Sequence, residues 1–376
     1  MFAITMSPAL DRVRQLATNY CSTILVLYLS LQFYTRFSVY HVRLYAAIWE
    51  PQTLHWLSGV HLTNGIVMQA LFWVYTLVLL PYFAFGDGKP AKSYLLLSWA
   101  CAALLGNRPK MRVEEKQAAL TILLKFVFVP FIINAAIGHL GQVNYRIVDV
   151  FKYYALEPVQ RPYFIADMSV LWLQIATAIV YCIDVVPFVV GYLTESHLQD
   201  NKIKSVDITA SGWFFCLMCY PPFNGAAGSF IPTNVPDHVA SFAGMIDAPL
   251  IGAYLHIVLN VIALLFLLAY ASCSVSLGWK CSNLTSRGVV RSGLYGIVRH
   301  PAYVCKNAAW WIFAGSVAVH EATAGRPWVF NLVCLAVFTG VYAMRAITEE
   351  RHMRYSDDFY SGYCHDVPYR FIPNII

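Results

Sequence analysis

The sequence predicts an all-α integral membrane protein, a polytopic bundle of about eight or nine transmembrane helices that ends in a helical hairpin. Three observations predict it. The 376-residue chain is 59% hydrophobic and 12% charged, about half the charge of a soluble domain. Its mean hydropathy is +0.56, more apolar surface than a water-solvated core absorbs, so lipid must be the solvent for much of it. The apolar residues also gather into runs near the ~20 residues that a helix needs to cross a bilayer. These runs lie at roughly 19–34, 60–85, 93–106, 118–140, 166–193, 208–222, 248–276, 302–319 and 328–346.

Taken in order, the N-terminus MFAITMSPALDRVRQ carries its arginines after its apolar stretch and has no small-residue cleavage site. It reads as retained rather than as a cleaved signal. The runs at 93–106 and 208–222 are short, which fits tilted, re-entrant or interfacial segments. PYFAFGDGKP (81–90) and YPPFNGAAGSFIPTNVP (220–236) read as turns or broken helices, the second long enough for a lumenal loop or lid. The loops 107–116, 200–205 and 280–300 and the tail after Arg345 are basic, and counting spans puts all four on one side, the cytoplasmic one by the positive-inside rule. Loop 141–165, with Arg146, Lys152 and Arg161, falls on the other side and opposes the rule.

The net charge of +6 comes from short loops. That distribution suits anionic lipid head groups and argues against nucleic acid as a partner. The ten cysteines are scattered, mostly inside apolar runs, and make no disulfide framework. Cys216 and Cys219 form a C-x-x-C without a second pair, so core filling is the simpler reading. Lys125, Gln174, Asp184, His256 and Asn260 fall within the apolar runs. A charge at membrane depth costs at least ~2.5 kcal/mol, so each should face protein or water, most simply as packing contacts between helices.

The chemically informative stretch begins near Leu277. Runs 302–319 and 328–346 are joined by the turn HEATAGRP, and two antiparallel spans return the chain to the face it left. Arg299, His300 and Tyr303 should therefore meet Arg345, Glu349 and Glu350. Pro301 biases His300 out of helix and suits the first turn of the next one, which places Arg299 and His300 at a helix N-terminus that favours an anionic group. An interfacial ring of ion pairs anchoring a hairpin would use the same residues. Beyond the hairpin, Tyr355, Phe359, Tyr360, Tyr363 and Tyr369 interleave with Asp357, Asp358 and Asp366. That tail reads as an amphipathic cover on the bilayer surface.

These residues carry a resemblance. Gly293, Tyr295, Val298, Arg299, His300, Pro301 and Tyr303, then an apolar hairpin, Glu349-Glu350 and a Tyr-rich tail resemble the isoprenylcysteine carboxyl methyltransferase and phospholipid methyltransferase superfamily. Leu277-Gly278 and Arg287-Gly288 look like that family too, and the likeness covers about the last 100 residues. It implies a cofactor-binding hairpin that holds S-adenosylmethionine at the cytoplasmic membrane surface, with a lipid or lipid-linked substrate arriving from the bilayer. By resemblance, Tyr295, Arg299, His300, Pro301 and Tyr303 would line the cofactor pocket and Glu349 and Glu350 would complete it. His300, Glu350 and Arg299 would be the catalytic groups, and His352 a further candidate base. Methyl transfer to a carboxylate or an amine needs no metal.

The sequence departs from that pattern at Leu294 and Gly296. Gly296 and the ending Tyr363-Cys364-x-x-Val367-Pro368-Tyr369-Arg370-x-x-Pro373 look like the membrane sterol reductases, which share the hairpin and bind NADPH. Ala302 before Tyr303, and Lys306-Asn307 after it, depart from the reductases in turn. The expected organisation is a membrane bundle of unnamed role over 1–245 and a methyltransferase-like domain over 246–376. NADPH is the alternative cofactor, and a non-enzymatic carrier or assembly factor is the alternative function.

Overall fold

The computed structural model describes residues 8–46, 48–49, 62–86, 88–107, 110–158, 164–196, 198–233, 235–236, 238–242 and 249–375. Arg161 lies outside the described residues. Twelve helices dominate the described chain: α1 Pro8–Gln32, α2 Val39–Tyr45, α3 Asn64–Ala84, α4 Lys92–Leu104, α5 Val113–Tyr154, α6 Phe164–Leu193, α7 Ala210–Leu217, α8 Phe223–Gly228, α9 Pro249–Leu277, α10 Pro301–Thr323, α11 Val329–Ser356 and α12 Tyr360–Asp366. Two short antiparallel ladders pair β1 Ile48–Trp49 with β2 Leu62–Thr63, and β3 Ser205–Val206 with β4 Thr285–Ser286. The described residues up to Asn134 form one compact unit and those from Ala135 onward a second. The boundary falls within α5.

Six helical segments among the described residues are long and apolar enough to cross a membrane: Leu10–Phe37, Asn64–Ala84, Val113–Tyr154, Phe164–Leu193, Leu250–Lys280 and Val329–Ser356. That is fewer than the eight or nine expected, and helix length accounts for two of the differences. The run at 93–106 folds as the 13-residue α4 and the run at 208–222 as the 8-residue α7. At 1.5 Å per residue these reach about 20 and 12 Å, short of a ~30 Å hydrocarbon core. The 23-residue α10 is long enough but interrupts its apolar face with Lys306, Asn307 and His320, and it is not one of the six.

Local sequence explains where the helices begin. Thr63 caps α3 by accepting the Ile66 amide at 3.2 Å. Glu115 folds back to accept the Arg112 amide at 2.8 Å, ahead of α5, and Glu114 and Glu115 place negative charge in its first turn. In the first unit, α1 packs on α3 and α4. Asn19 of α1 fixes the start of α4, donating to the Lys89 carbonyl and accepting from the Ala91 amide, each at 2.8 Å. Ser22 and Thr23 meet the Ser93 hydroxyl beside it. Small polar side chains of this kind join helices where lipid supplies no hydrophobic drive.

In the second unit α9 packs against α6 and α10. Ala263, Ala271 and Ala309 are fully buried with Leu267 and Phe313 at that junction; alanines let the helix backbones approach closely. The polar groups of α9 have partners, although Asn260 and His256 meet the irregular chain at Val239 rather than another helix. Asn260 accepts the Val239 amide at 3.1 Å and donates to the His256 carbonyl, while His256 Nε2 meets the Val239 carbonyl at 2.8 Å. Asp184 of α6 accepts from the Ser274 hydroxyl of α9. Asn260→Ala strands the buried Val239 amide and is expected to cost about 1–3 kcal/mol, measured by unfolding in detergent beside the parent protein. A loss below about 0.5 kcal/mol would show that the amide has another acceptor.

Residues 220–236, expected as a turn or broken helix, hold the short α8 and irregular chain on either side, with position 234 outside the described residues. The tail differs from expectation. Tyr360 and Tyr363 of α12 and Val367 are buried against Val289 and Met353, so this stretch packs on the protein itself. Only Tyr355 and Phe359 present large exposed rings.

Candidate functional site

The segment joining α9 to α10 is built for close backbone approach. Gly278, Gly288 and Gly293 have φ of 54°, 101° and 61°, the left-handed region that glycine enters without steric cost. At the end of α6, a Cβ on Gly191 would stand 2.1 Å from the Cys281 carbonyl oxygen, so only glycine lets the helix abut this segment. Arg287, itself buried, clamps the junction by donating to the Gly191 carbonyl at 2.7 Å and the Asn201 carbonyl at 2.5 Å. The Tyr192 hydroxyl accepts the Asn283 amide at 2.9 Å.

A five-residue connection folds α11 back along α10, and the predicted cluster assembles. Glu350, 3% exposed, accepts from Arg299 Nε at 2.8 Å, from Arg370 Nε at 3.0 Å and from Arg370 at a second nitrogen at 2.9 Å, and meets His300 Nε2 at 3.2 Å. The carboxylate raises the Arg370 guanidinium pKa through that hydrogen bond. Arg299 spends its other contacts on the tail, donating to the carbonyls of Val367 at 2.8 Å and Pro368 at 2.6 Å. The Arg299 and His300 amides donate to the Tyr369 and Arg370 carbonyls, both at 3.0 Å. The tail thus takes the two amides just ahead of α10, part of the place that the sequence marked for an anion.

Glu349 points elsewhere. It accepts from the Tyr303 hydroxyl at 2.6 Å and from Arg345 Nε at 2.9 Å, and it borders a cavity of about 210 Å³. Tyr295, Arg299, His300 and Tyr303 share that lining, whereas Pro301 and Glu350 stand behind it. The His300 ring stacks on Tyr303 at 5.5 Å and 12°. Burial holds the Tyr295 phenol well above its ordinary pKa, so it is a neutral donor.

Further groups complete the lining. Arg345 lies between the rings of Tyr220 and Tyr303, each 5.1 Å from its guanidinium carbon, and donates to Asn283 Oδ1 at 2.6 Å and the Tyr220 hydroxyl at 3.2 Å. His352 meets the Ser205 hydroxyl of β3 at 2.9 Å and faces the same space. Lys306 reaches it from α10. Its one sequence signal is a lysine inside an apolar run, three residues beyond Tyr303. Buried Arg287 Nε has no hydrogen-bond partner and also belongs to this wall. The arrangement offers the carboxylates of Glu349 and Asp207 and several aromatic faces beside a cation-rich wall, with His300 and His352 as groups able to move a proton. Searches against protein families, curated proteins and solved structures return no match.

Proposed function

We propose that this chain is an integral membrane S-adenosylmethionine-dependent methyltransferase acting on a lipid or lipid-linked carboxylate or amine, with its cofactor site in the cavity of the second unit and on the cytoplasmic face. The observation that carries the reading is Glu349 on the cavity wall, fixed by Tyr303 and Arg345 and ringed by aromatic faces. A carboxylate among aromatic rings suits a sulfonium cation. Arg287 on the same wall supplies a positive charge that suits the cofactor's carboxylate end. When bound, S-adenosylmethionine supplies a methyl group activated by positive sulfur.

The chain's own residues have separate duties in this reading. Glu349, Tyr303 and Tyr295 hold the cation and keep water from it. Arg299, Glu350 and Arg370 anchor the tail that closes one side of the site. For an amine acceptor, His300 is placed to take the proton; a carboxylate acceptor releases none.

One observation favours a second reading. Lys204 Nζ and Lys280 Nζ lie 3.5 and 3.7 Å from the position a Cβ would take on Gly288, next to Arg287. Three cations at one glycine suit phosphate, and hence a sterol-type reductase using NADPH. Each lysine has a carboxylate partner of its own, Asp357 at 2.9 Å and Asp200 at 2.6 Å, which lowers the pull on a phosphate. Isothermal titration of the detergent-purified chain with S-adenosylmethionine and with NADPH decides between them. The expected result is saturable binding of the first and at least tenfold weaker binding of the second; tighter NADPH binding would overturn the methyltransferase reading.

A further inference from the structure

Two titratable groups within the apolar helices have no part in the site. Asp184 lies in α6 and His139 in α5, both long and apolar enough to cross a membrane. On α6, Gln174, Thr177, Tyr181, Asp184 and Phe188 recur at three- and four-residue steps, so they share one helix face. That face joins two voids. Phe188 borders the main cavity, while Gln174, Thr177 and Tyr181 border a second void of about 10 Å³ against Gln142 and Arg146 of α5. Gln174 and Phe188 stand ~21 Å apart along the axis by helix rise, with Asp184 between them.

Each stage along the face has a group able to pass a proton. Ser274 and Tyr270 of α9 line the cavity and donate their hydroxyls to Asp184. Lys306 Nζ sits 5.0 Å from the ring centre of Trp310, 5.4 Å from Tyr270 and 5.8 Å from Tyr342, and acts on Asp184 through space. No cation among the described residues stands within ion-pair distance of Asp184, so a proton can join and leave it without breaking a salt bridge. His139 also acts on Asp184 through space, and its ring stacks on Tyr181 at 5.2 Å and 19°. Its Nδ1 meets Gln142 Oε1 at 3.4 Å. An amide oxygen only accepts, which leaves the proton on Nδ1 and Nε2 free to take another. Beyond the second void, Arg146 pairs with Asp149 at 3.8 Å and Asp167 accepts the Tyr153 hydroxyl at 2.5 Å, a charged end next to the α5–α6 connection.

Size decides what can pass. A void of about 10 Å³ has room for about one water, enough to relay a proton and too little for a hydrated ion or a substrate. Ionisable groups on apolar spans mark such relays, and helix packing alone needs neither the void nor an imidazole behind the carboxylate. We propose that Asp184 and His139 form a proton path from the cavity to the far end of α6. The proton joins the Asp184 carboxylate and passes by way of water to His139 Nε2. The ring then releases its Nδ1 proton towards Gln142 and the second void, and a turn of the ring restores the starting tautomer. Only bonds to hydrogen form and break. The path goes beyond the methyltransferase reading and needs no cofactor.

The test reconstitutes the full chain into vesicles of zwitterionic lipid with a pH-sensitive dye inside. A potassium diffusion potential set by valinomycin drives protons inward. The dye should respond several-fold faster than in empty vesicles. Asp184→Asn keeps an acceptor for Ser274 and Tyr270 but cannot carry a proton, and it should return the rate to that of empty vesicles. His139→Phe keeps a ring against Tyr181 and should do the same. A parent rate equal to that of empty vesicles, or an undiminished rate in a folded Asp184→Asn, would overturn the path. So would an equally fast loss of a sodium gradient, which would show an open pore. Thr177→Cys decides the matter even if neither variant folds. A small water-soluble thiol reagent should label position 177, read by mass spectrometry, and no labelling there would mean that water does not reach the second void and would sink the path. Every measurement is made without S-adenosylmethionine, so the path and the methyltransferase reading fail separately.

Discussion

Glu350→Ala is expected to destabilise the second unit by about 3–5 kcal/mol, the usual cost of removing one partner from a buried ion pair. The carboxylate is 3% exposed and holds Arg299, which is 9% exposed, together with Arg370 and His300. Without it, Arg299 retains only carbonyl acceptors at Val367 and Pro368 and keeps a full charge in a poorly solvated place. The burden falls on the tail, since Arg370 loses two hydrogen bonds at once. Unfolding in detergent measures the loss, and limited proteolysis should cut the tail beyond α12 sooner than in the parent protein. Removing both charges with Arg299→Met and Glu350→Leu should cost less than the sum of the single changes, because no orphan charge is left. A loss below about 1 kcal/mol for Glu350→Ala would mean that water reaches Arg299 and that this cluster does not fix the tail.

The hairpin around this network was legible because it depends on little. Two apolar runs and a short turn bring Arg299, His300 and Tyr303 to Arg345, Glu349 and Glu350, whatever the rest of the chain does. What Arg299 binds was not legible. Its acceptors are the backbone carbonyls of residues 367 and 368, and a carbonyl has no residue identity to read. The same holds for the amides of Arg299 and His300, which pair with the tail rather than awaiting a ligand. The runs at 93–106 and 208–222 fold as short helices, ending at Leu104 and Leu217, because composition reports apolarity but not helix length. The tail resembled a surface-lying cover because its aromatics alternate with aspartates. Burial of Tyr360 and Tyr363 depends on Val289, from the segment ahead of α10, as well as on nearby Met353 of α11. Lys306 was visible as a letter in an apolar run, but its ring partners come from three helices and no linear pattern joins them.

Glu349 is the adjacent carboxylate on the same helix, and its replacement should have the opposite profile. Its side chain is 28% exposed, and its partners do not depend on it alone. Arg345 keeps Asn283, the Tyr220 hydroxyl and two ring faces, so Glu349→Gln should change stability by less than about 1 kcal/mol. If Glu349 holds the sulfonium, the same variant should weaken S-adenosylmethionine binding by about 10- to 100-fold, the worth of one close charge in a cavity shielded from water. S-adenosylhomocysteine is the discriminating ligand, because it lacks the positive sulfur and keeps the rest of the shape. Its affinity should be nearly unchanged by Glu349→Gln, since glutamine still accepts from Tyr303. Equal weakening of both ligands would place Glu349 in shaping the cavity rather than in holding charge. Neighbouring carboxylates one residue apart project about 100° apart around a helix, so a single turn of α11 can give one of them to the tail and the other to the ligand.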